Sequence, residues 1–321
     1  MPKRLYDAER YEVLAAVYAK AGTEVMHDMV GAYRTKTVRA GEFLYVSCYP
    51  LIGAEAHAKQ EQAMRELAED KRVKTAAKYV RYNNARRLRE FEMLCAANFG
   101  AGDYHVVCTY APPEYGMPQG EEEYRSREDA CREIRNYIRR VKRLLKRRGC
   151  DVNEFRWVLV TSTKERDPEA RNAFSPAHHH HMLMHGIPEI LRGEVERLWG
   201  FGYCDADRLQ PDDKGIAAMA GYVARQEGTG SGERSRGERS FTASRNIIRP
   251  TVTTSDRKIS RRRIAQIASD VRANGTEVFA KVYPGYRLVE EPKVSVSDFT
   301  AGAYIRVKLR AIDVQKRKGG L

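Results

Sequence analysis

Between His178 and His185 the chain places five of its eight histidines, in the run Ala177-His-His-His-His-Met-Leu-Met-His-Gly186. The run reads as a β-strand over 179–185. Alternate side chains of a strand share a face, so His179 and His181 point one way and His178, His180, Met182 and Met184 the other. The two methionines mark the even face as packed and leave the odd face for a cleft. Leu183 is the awkward member of that register, and His178 with His180 is the alternative pair. Two neutral imidazoles on one face can share a metal ion, and imidazole suits Zn, Mn, Fe, Ni or Cu better than Mg without naming the ion. The competing reading is a set of core histidines bonded to backbone groups, with no metal.

About forty residues on, the segment from Gly215 to Arg225 reads as a helix carrying Tyr222 and Arg225 three apart on one face. A tyrosine on an apolar helix is more often core than nucleophile. A phenol, with a pKa of about 10, attacks poorly at neutral pH until a metal or a cation stabilises its phenolate. Beside a two-histidine metal strand, Tyr222 becomes a candidate nucleophile. Arg225 becomes a group able to neutralise a phosphate oxygen.

The charge balance points to the substrate class. With 57 Lys+Arg against 43 Asp+Glu the net charge is +14, which favours an acidic polymer as partner. An apolar fraction of 42% is enough to build a core and excludes wholesale disorder. No apolar run approaches the roughly 18 residues of a membrane span, and no signal-peptide core follows Met1-Pro-Lys-Arg, so neither insertion nor export is expected. Cys48, Cys95, Cys108, Cys131, Cys150 and Cys204 are scattered without a CxxC pair, against a zinc knuckle or a secreted disulfide scaffold. A cytoplasmic setting fits them.

The remaining patterning predicts an α+β fold, an antiparallel sheet with flanking helices. Helices are expected over 11–20, 71–99, from Ser126 as N-cap, over 188–199, over 215–226 with Asp212 or Asp213 as cap, and over 255–273, stopping at Asn274-Gly275. Strands are expected over 41–49, 104–110 and 155–161, with a Pro/Gly turn region over 111–120 and a small β-hairpin tail over 277–309. The helix after Ser126 ends in a crowd of cations. Read as a phosphate-tracking surface rather than a solvated face, it offers Arg139, Arg140, Arg143, Lys146 and Arg147 as DNA contacts. The Gly/Ser/Arg stretch 228–240 has no periodicity and is expected to be mobile.

These features resemble the HUH endonucleases, the rolling-circle replication initiators, relaxases and related transposases, whose signature is a His-hydrophobic-His strand followed by a helical Tyr-x-x-Lys. The closer similarity is to replication initiators of phage and plasmid type. It rests on 84–109, the basic helix, His178 to Ile187, Leu198-Trp-Gly-Phe-Gly202, Tyr222 to Arg225 and Ser244 to Pro250. The resemblance spans about 76–310. It implies an HUH nuclease domain over 76–260, an N-terminal extension of unknown function over 1–75, and a C-terminal helix with a β-rich tail over 261–321.

It also implies a metal-dependent single-strand endonuclease and strand transferase of the single-tyrosine class, since Ala218 stands where a second tyrosine would be. The metal ligands become His179 and His181, with Glu165 as the third and Asp167 or water as substitutes; the ion would be Mg2+ or Mn2+. Tyr222 becomes the nucleophile. Arg225 stands for the family's lysine and cannot donate a proton as that lysine can. The implied partners are single-stranded or hairpin origin DNA and a host helicase and polymerase. A relaxase or transposase would share the chemistry, a hydrolase using activated water would not need Tyr222, and a non-catalytic basic DNA-binding protein would need neither metal nor tyrosine.

Overall fold

The computed structural model describes residues 30–52, 84–111, 126–163, 178–226, 241–296 and 303–312. In chain order the elements are β1 (Val30–Ala40), β2 (Phe43–Ile52), helix α1 over 84–96, β3 (Tyr104–Thr109), α2 (Arg127–Arg147), β4 (Arg156–Thr163), β5 (His178–His185) and α3 (Arg192–Arg197). There follow β6 (Cys204–Arg208), α4 (Ala217–Gln226), β7 (Thr242–Ala243), β8 (Thr251–Ser255), α5 (Arg261–Ser269), α6 (Val271–Val282), β9 (Tyr286–Leu288), β10 (Lys293–Val296) and β11 (Ala303–Ala311). This is an α+β protein whose described strands form two antiparallel sheets. The expected helices over 11–20 and 71–83, the turn region from 112 to 120, Glu165, Asp167 and the 228–240 loop lie outside the described residues.

The chain divides into two compact units, with breaks at Arg89/Glu90 and Arg249/Pro250. In the first, the strands run β10-β11-β2-β1-β8, with β9 also on β11. Gly41, at φ 58°, turns the β1–β2 hairpin, a left-handed conformation that glycine adopts without steric cost. Leu44, Val46 and Cys48 of β2 and Ile305, Val307 and Leu309 of β11 point to one face, where Ile264 and Ile267 of α5 and Val278 and Phe279 of α6 cover them. Segments expected as a separate extension and a separate tail therefore share a sheet and a core. The boundaries expected at 75 and 260 do not match this division.

The helical region there also differs from expectation. Helix α5 starts at the Ser260 cap, and the chain breaks at Asp270, which is extended at φ −147° and caps α6 by accepting from the Ala273 N–H at 3.0 Å. Helix α6 then runs through Asn274-Gly275 instead of stopping, so the expected hairpin loses 277–282 to helix. Gly275 has a packing reason: a Cβ there would come within 2.8 Å of Pro292 Cγ.

In the second unit the strand order is β6-β3-β5-β4-β7, which puts the histidine strand in the middle. Helix α2 begins as predicted, with Ser126 Oγ accepting from the Asp129 N–H at 3.1 Å. Its stripe Ala130, Ile134, Tyr137, Ile138, Val141, Leu144 and Leu145 packs against Tyr104, Val106, Cys108, Leu159, Met182 and Met184. Each such buried aliphatic side chain contributes about 1.5–3 kcal/mol, so the even sheet face and the helix hold each other in place. Cys108 and Cys204, paired across β3 and β6, face one another as free thiols with their Sγ atoms 3.5 Å apart.

The Leu198–Gly202 segment seals one end of this core. Trp199 Nε1 donates to Thr109 O at 2.7 Å, and its indole meets Tyr110 and Tyr137 edge-on. Gly202 lies flat against the strand end. A Cβ there would stand 2.3 Å from Ala111 N and 2.6 Å from Thr109 O, so no other residue fits without moving backbone.

Candidate active site

The antiparallel register aligns His179 with Thr109 on one side and Ser162 on the other, and His181 with Val107 and Val160. Directly paired residues share a face, so His179, His181, Leu183, His105, Asp205 and Asp207 belong to the odd face. The choice of register made from Met182 and Met184 is the one observed.

His180 goes the other way and is a core residue. It is fully buried; Thr161 Oγ1 lies 3.0 Å from its Nδ1 and Tyr110 Oη 3.2 Å from its Nε2, and its ring meets Trp199 edge-on. Both ring nitrogens are engaged. Burial, reinforced by the neighbouring His178, His179 and His181, pushes its pKa down to about 3. The core-histidine reading holds for His180, which takes it out of the alternative pair with His178.

On the odd face the tyrosine helix arrives. Helix α4 packs on β4 and β5, and Val158, Val160 and Leu183 beneath it are buried. The helix begins at Ala217, so the position before its first turn is Ile216, not Asp212 or Asp213. Asp212 instead closes the preceding turn, its carboxylate accepting from the Lys214 N–H at 2.7 Å while its backbone pairs with Gly215. Val223 and Ala224 are buried and Ala220 is fully so, which turns Tyr222, 43% exposed, to the edge of the packed stripe. The phenol ring stands edge-on to His181, 5.7 Å between centroids, and to His105, 6.0 Å away. Arg225 follows in the same helix; the described side chains stop at Ala224.

His105 is the residue that sequence reasoning missed. It lies diagonally across from His181, with its Nε2 3.4 Å from His181 Nδ1 and the two rings nearly parallel. Burial lowers its pKa, against the pull of Asp207. The signal was present in Tyr104-His-Val-Val-Cys-Thr, where a lone histidine alternates with apolar residues, but only the strand pairing tells that it joins the face of His181. His185, at the far end of β5, is engaged elsewhere, its Nδ1 2.7 Å from Asp103 Oδ1.

The donor set on this face is imidazole-rich, of the kind that suits a borderline divalent cation. His179 Nε2 is shut off from bulk solvent. Among the described residues, no three His, Cys, Asp or Glu side chains converge tightly enough to form a complete metal cage. The structure thus brings together His179, His181 and Tyr222 on one face, while Glu165 lies outside the described residues.

The basic helix lies elsewhere. Helix α2 packs on the even face, so its cations and the histidine–tyrosine cluster occupy opposite sides of the sheet. Arg140 is not a free contact at all. Its guanidinium donates to Leu198 O at 3.0 Å and Trp199 O at 3.2 Å and lies over the Phe201 ring, which makes it a clamp on the segment that seals the core. Arg139, Arg143, Lys146 and Arg147 are exposed, as expected for solvent-facing or anion-facing groups. No helix among the described residues is long and apolar enough to cross a membrane.

No protein-family model, curated protein or solved structure matches this chain.

Proposed function

We propose that the protein is a rolling-circle replication initiator of the HUH type, nicking and rejoining single-stranded or hairpin origin DNA through Tyr222. The reading is carried by one observation: the Tyr222 ring lies 5.7 Å from that of His181, on the sheet face that His179 shares. Alternate imidazoles and a reachable phenol are the parts a metal-assisted tyrosine nuclease needs.

His179 and His181 would hold Mg2+ or Mn2+, with Glu165 as the expected third ligand, and the bound cation would draw negative charge from the scissile phosphate. The Tyr222 phenolic oxygen attacks phosphorus in line. The new O–P bond forms as the bond to the 3′-oxygen breaks, the phenolic proton passes to solvent, and the departing oxygen takes up a proton. The products are a 5′-phosphotyrosine and a free 3′-OH. Arg225 supplies fixed positive charge to a non-bridging oxygen and, as arginine, takes no part in proton transfer. The covalent link conserves the phosphodiester for rejoining, and the 3′-OH primes a host polymerase working with a host helicase in the cytoplasm.

The test is a search for a denaturation-resistant adduct between the full chain and labelled single-stranded origin fragments in Mn2+ or Mg2+, with the attachment mapped by peptide mass spectrometry. Attachment at Tyr222, lost in Tyr222→Phe with DNA binding intact, is the expected result. Unchanged nicking by Tyr222→Phe would sink the proposal and favour an activated-water hydrolase. DNA binding without adduct or metal dependence would favour a non-catalytic DNA-binding protein.

A further inference from the structure

We propose that the outer face of α2 is a second DNA surface, one that holds the backbone of duplex DNA on the side of the sheet away from Tyr222. This deepens the nuclease reading and rests on it for the choice of DNA as the polyanion.

Arg139, Lys142, Arg143 and Lys146 stand at i, i+3, i+4 and i+7, which puts all four on one stripe of the helix. With Asn136, Val152 and the inward-bonded Arg140 they line an open groove of about 710 Å3. The ion pairs that α2 makes among the described residues lie at its ends, Arg132 with Asp129 and, just past its last turn, Arg148 with Glu194; the central four have no described carboxylate as partner. A merely solvated helix face usually interleaves signs, whereas this stripe carries one sign over two turns.

The dimensions and chemistry favour a duplex. The stripe rises about 10.5 Å at 1.5 Å per residue, a length over which a DNA duplex carries about six phosphate charges. Nonspecific grip on single strands relies on aromatic platforms for the bases. Among the described residues, no aromatic side chain lines this groove. Cations without rings contact phosphates and leave the bases stacked, as a duplex arm flanking a nicked strand requires.

Binding can be measured on the intact protein in EDTA, where cleavage plays no part, using a fluorescent 30-base-pair duplex of arbitrary sequence and a 30-nucleotide oligo(dT). The fourfold variant Arg139→Ala/Lys142→Ala/Arg143→Ala/Lys146→Ala is expected to weaken duplex binding at least tenfold at 100 mM salt. The log-log salt slope should become shallower by about 3.5, since each of the four phosphate contacts contributes about 0.9. Oligo(dT) affinity should move less than threefold, and Arg139→Lys/Arg143→Lys should keep duplex affinity within twofold. If the fourfold variant misfolds by circular dichroism, Lys142→Glu/Lys146→Glu serves in its place with the same expectation. Unchanged duplex affinity overturns the proposal, and equal losses on both probes overturn the assignment to duplex. A failed adduct experiment would sink the nuclease reading while leaving this measurement intact.

Discussion

His181 Nδ1 and His105 Nε2 lie 3.4 Å apart on neighbouring strands of one sheet face, close enough for one ring to donate a hydrogen bond to the other. A metal-binding histidine is commonly fixed in tautomer and orientation by the partner of its second nitrogen. With His181 donating from Nδ1, its Nε2 keeps the lone pair that a cation needs. His105→Leu is therefore expected to weaken Mn2+ binding by about ten- to a hundredfold. His105→Asn, which retains an acceptor, should recover part of it. Titration of the full chain with Mn2+ followed by electron paramagnetic resonance checks this without any turnover, and an unchanged affinity in His105→Leu would remove the role.

The two faces of β5 should answer differently to the same substitution. His179→Ala is expected to abolish metal dependence with little change in melting temperature. His180→Ala removes a fully buried ring with both nitrogens engaged and should cost about 2–4 kcal/mol of stability. Parallel thermal melts and metal titrations of the two variants separate the outcomes; equal melting losses would contradict the facial division.

His180 also sets a pH dependence. Its folded pKa of about 3 lies below the unfolded value of about 6.5, so the unfolded chain takes up a proton that the native one refuses. Stability from this source is complete above about pH 6.5 and falls as pH drops toward 3. By pH 5 the loss is about 2 kcal/mol, from roughly 1.36 kcal/mol per pH unit. Urea unfolding at pH 7 and pH 5 measures it, and His180→Phe should flatten the difference.

Arg140 should behave as a structural residue. Arg140→Ala gives up two hydrogen bonds to Leu198 O and Trp199 O and a contact with Phe201, an expected cost of about 2 kcal/mol. The salt slope of DNA binding should stay as in the native protein. A changed slope with unchanged stability would return Arg140 to the phosphate contacts.

The sequence pattern revealed much of the second unit. Alternation in His178–His185 told the faces apart, because Met182 and Met184 share the even face that packs on α2, and Ser126 with Asp129 marked the start of α2. Pairing partners were not legible. His105 and Cys204 reach their partners His181 and Cys108 only through strand registers set by tertiary contacts, across separations no local pattern records. The sheet face occupied by α2 was likewise hidden: its cations, expected to hold DNA, lie on the side of the sheet away from His181 and Tyr222. In the first unit the local rules were overridden. Asn274-Gly275 reads as a helix stop, yet the glycine is there to let Pro292 approach.

The way β2 pairs with β11 orders events at the ribosome. Strand β2 emerges early and must wait, with Leu44 and Val46 uncovered, until everything from the histidine strand to α6 has been made and β11 follows. The unit bearing Tyr222 is contiguous from Glu90 to Arg249 and can close on itself meanwhile. A messenger truncated after residue 250 would thus release the Tyr222-bearing unit with an orphaned hairpin, a species prone to seek edges on other chains.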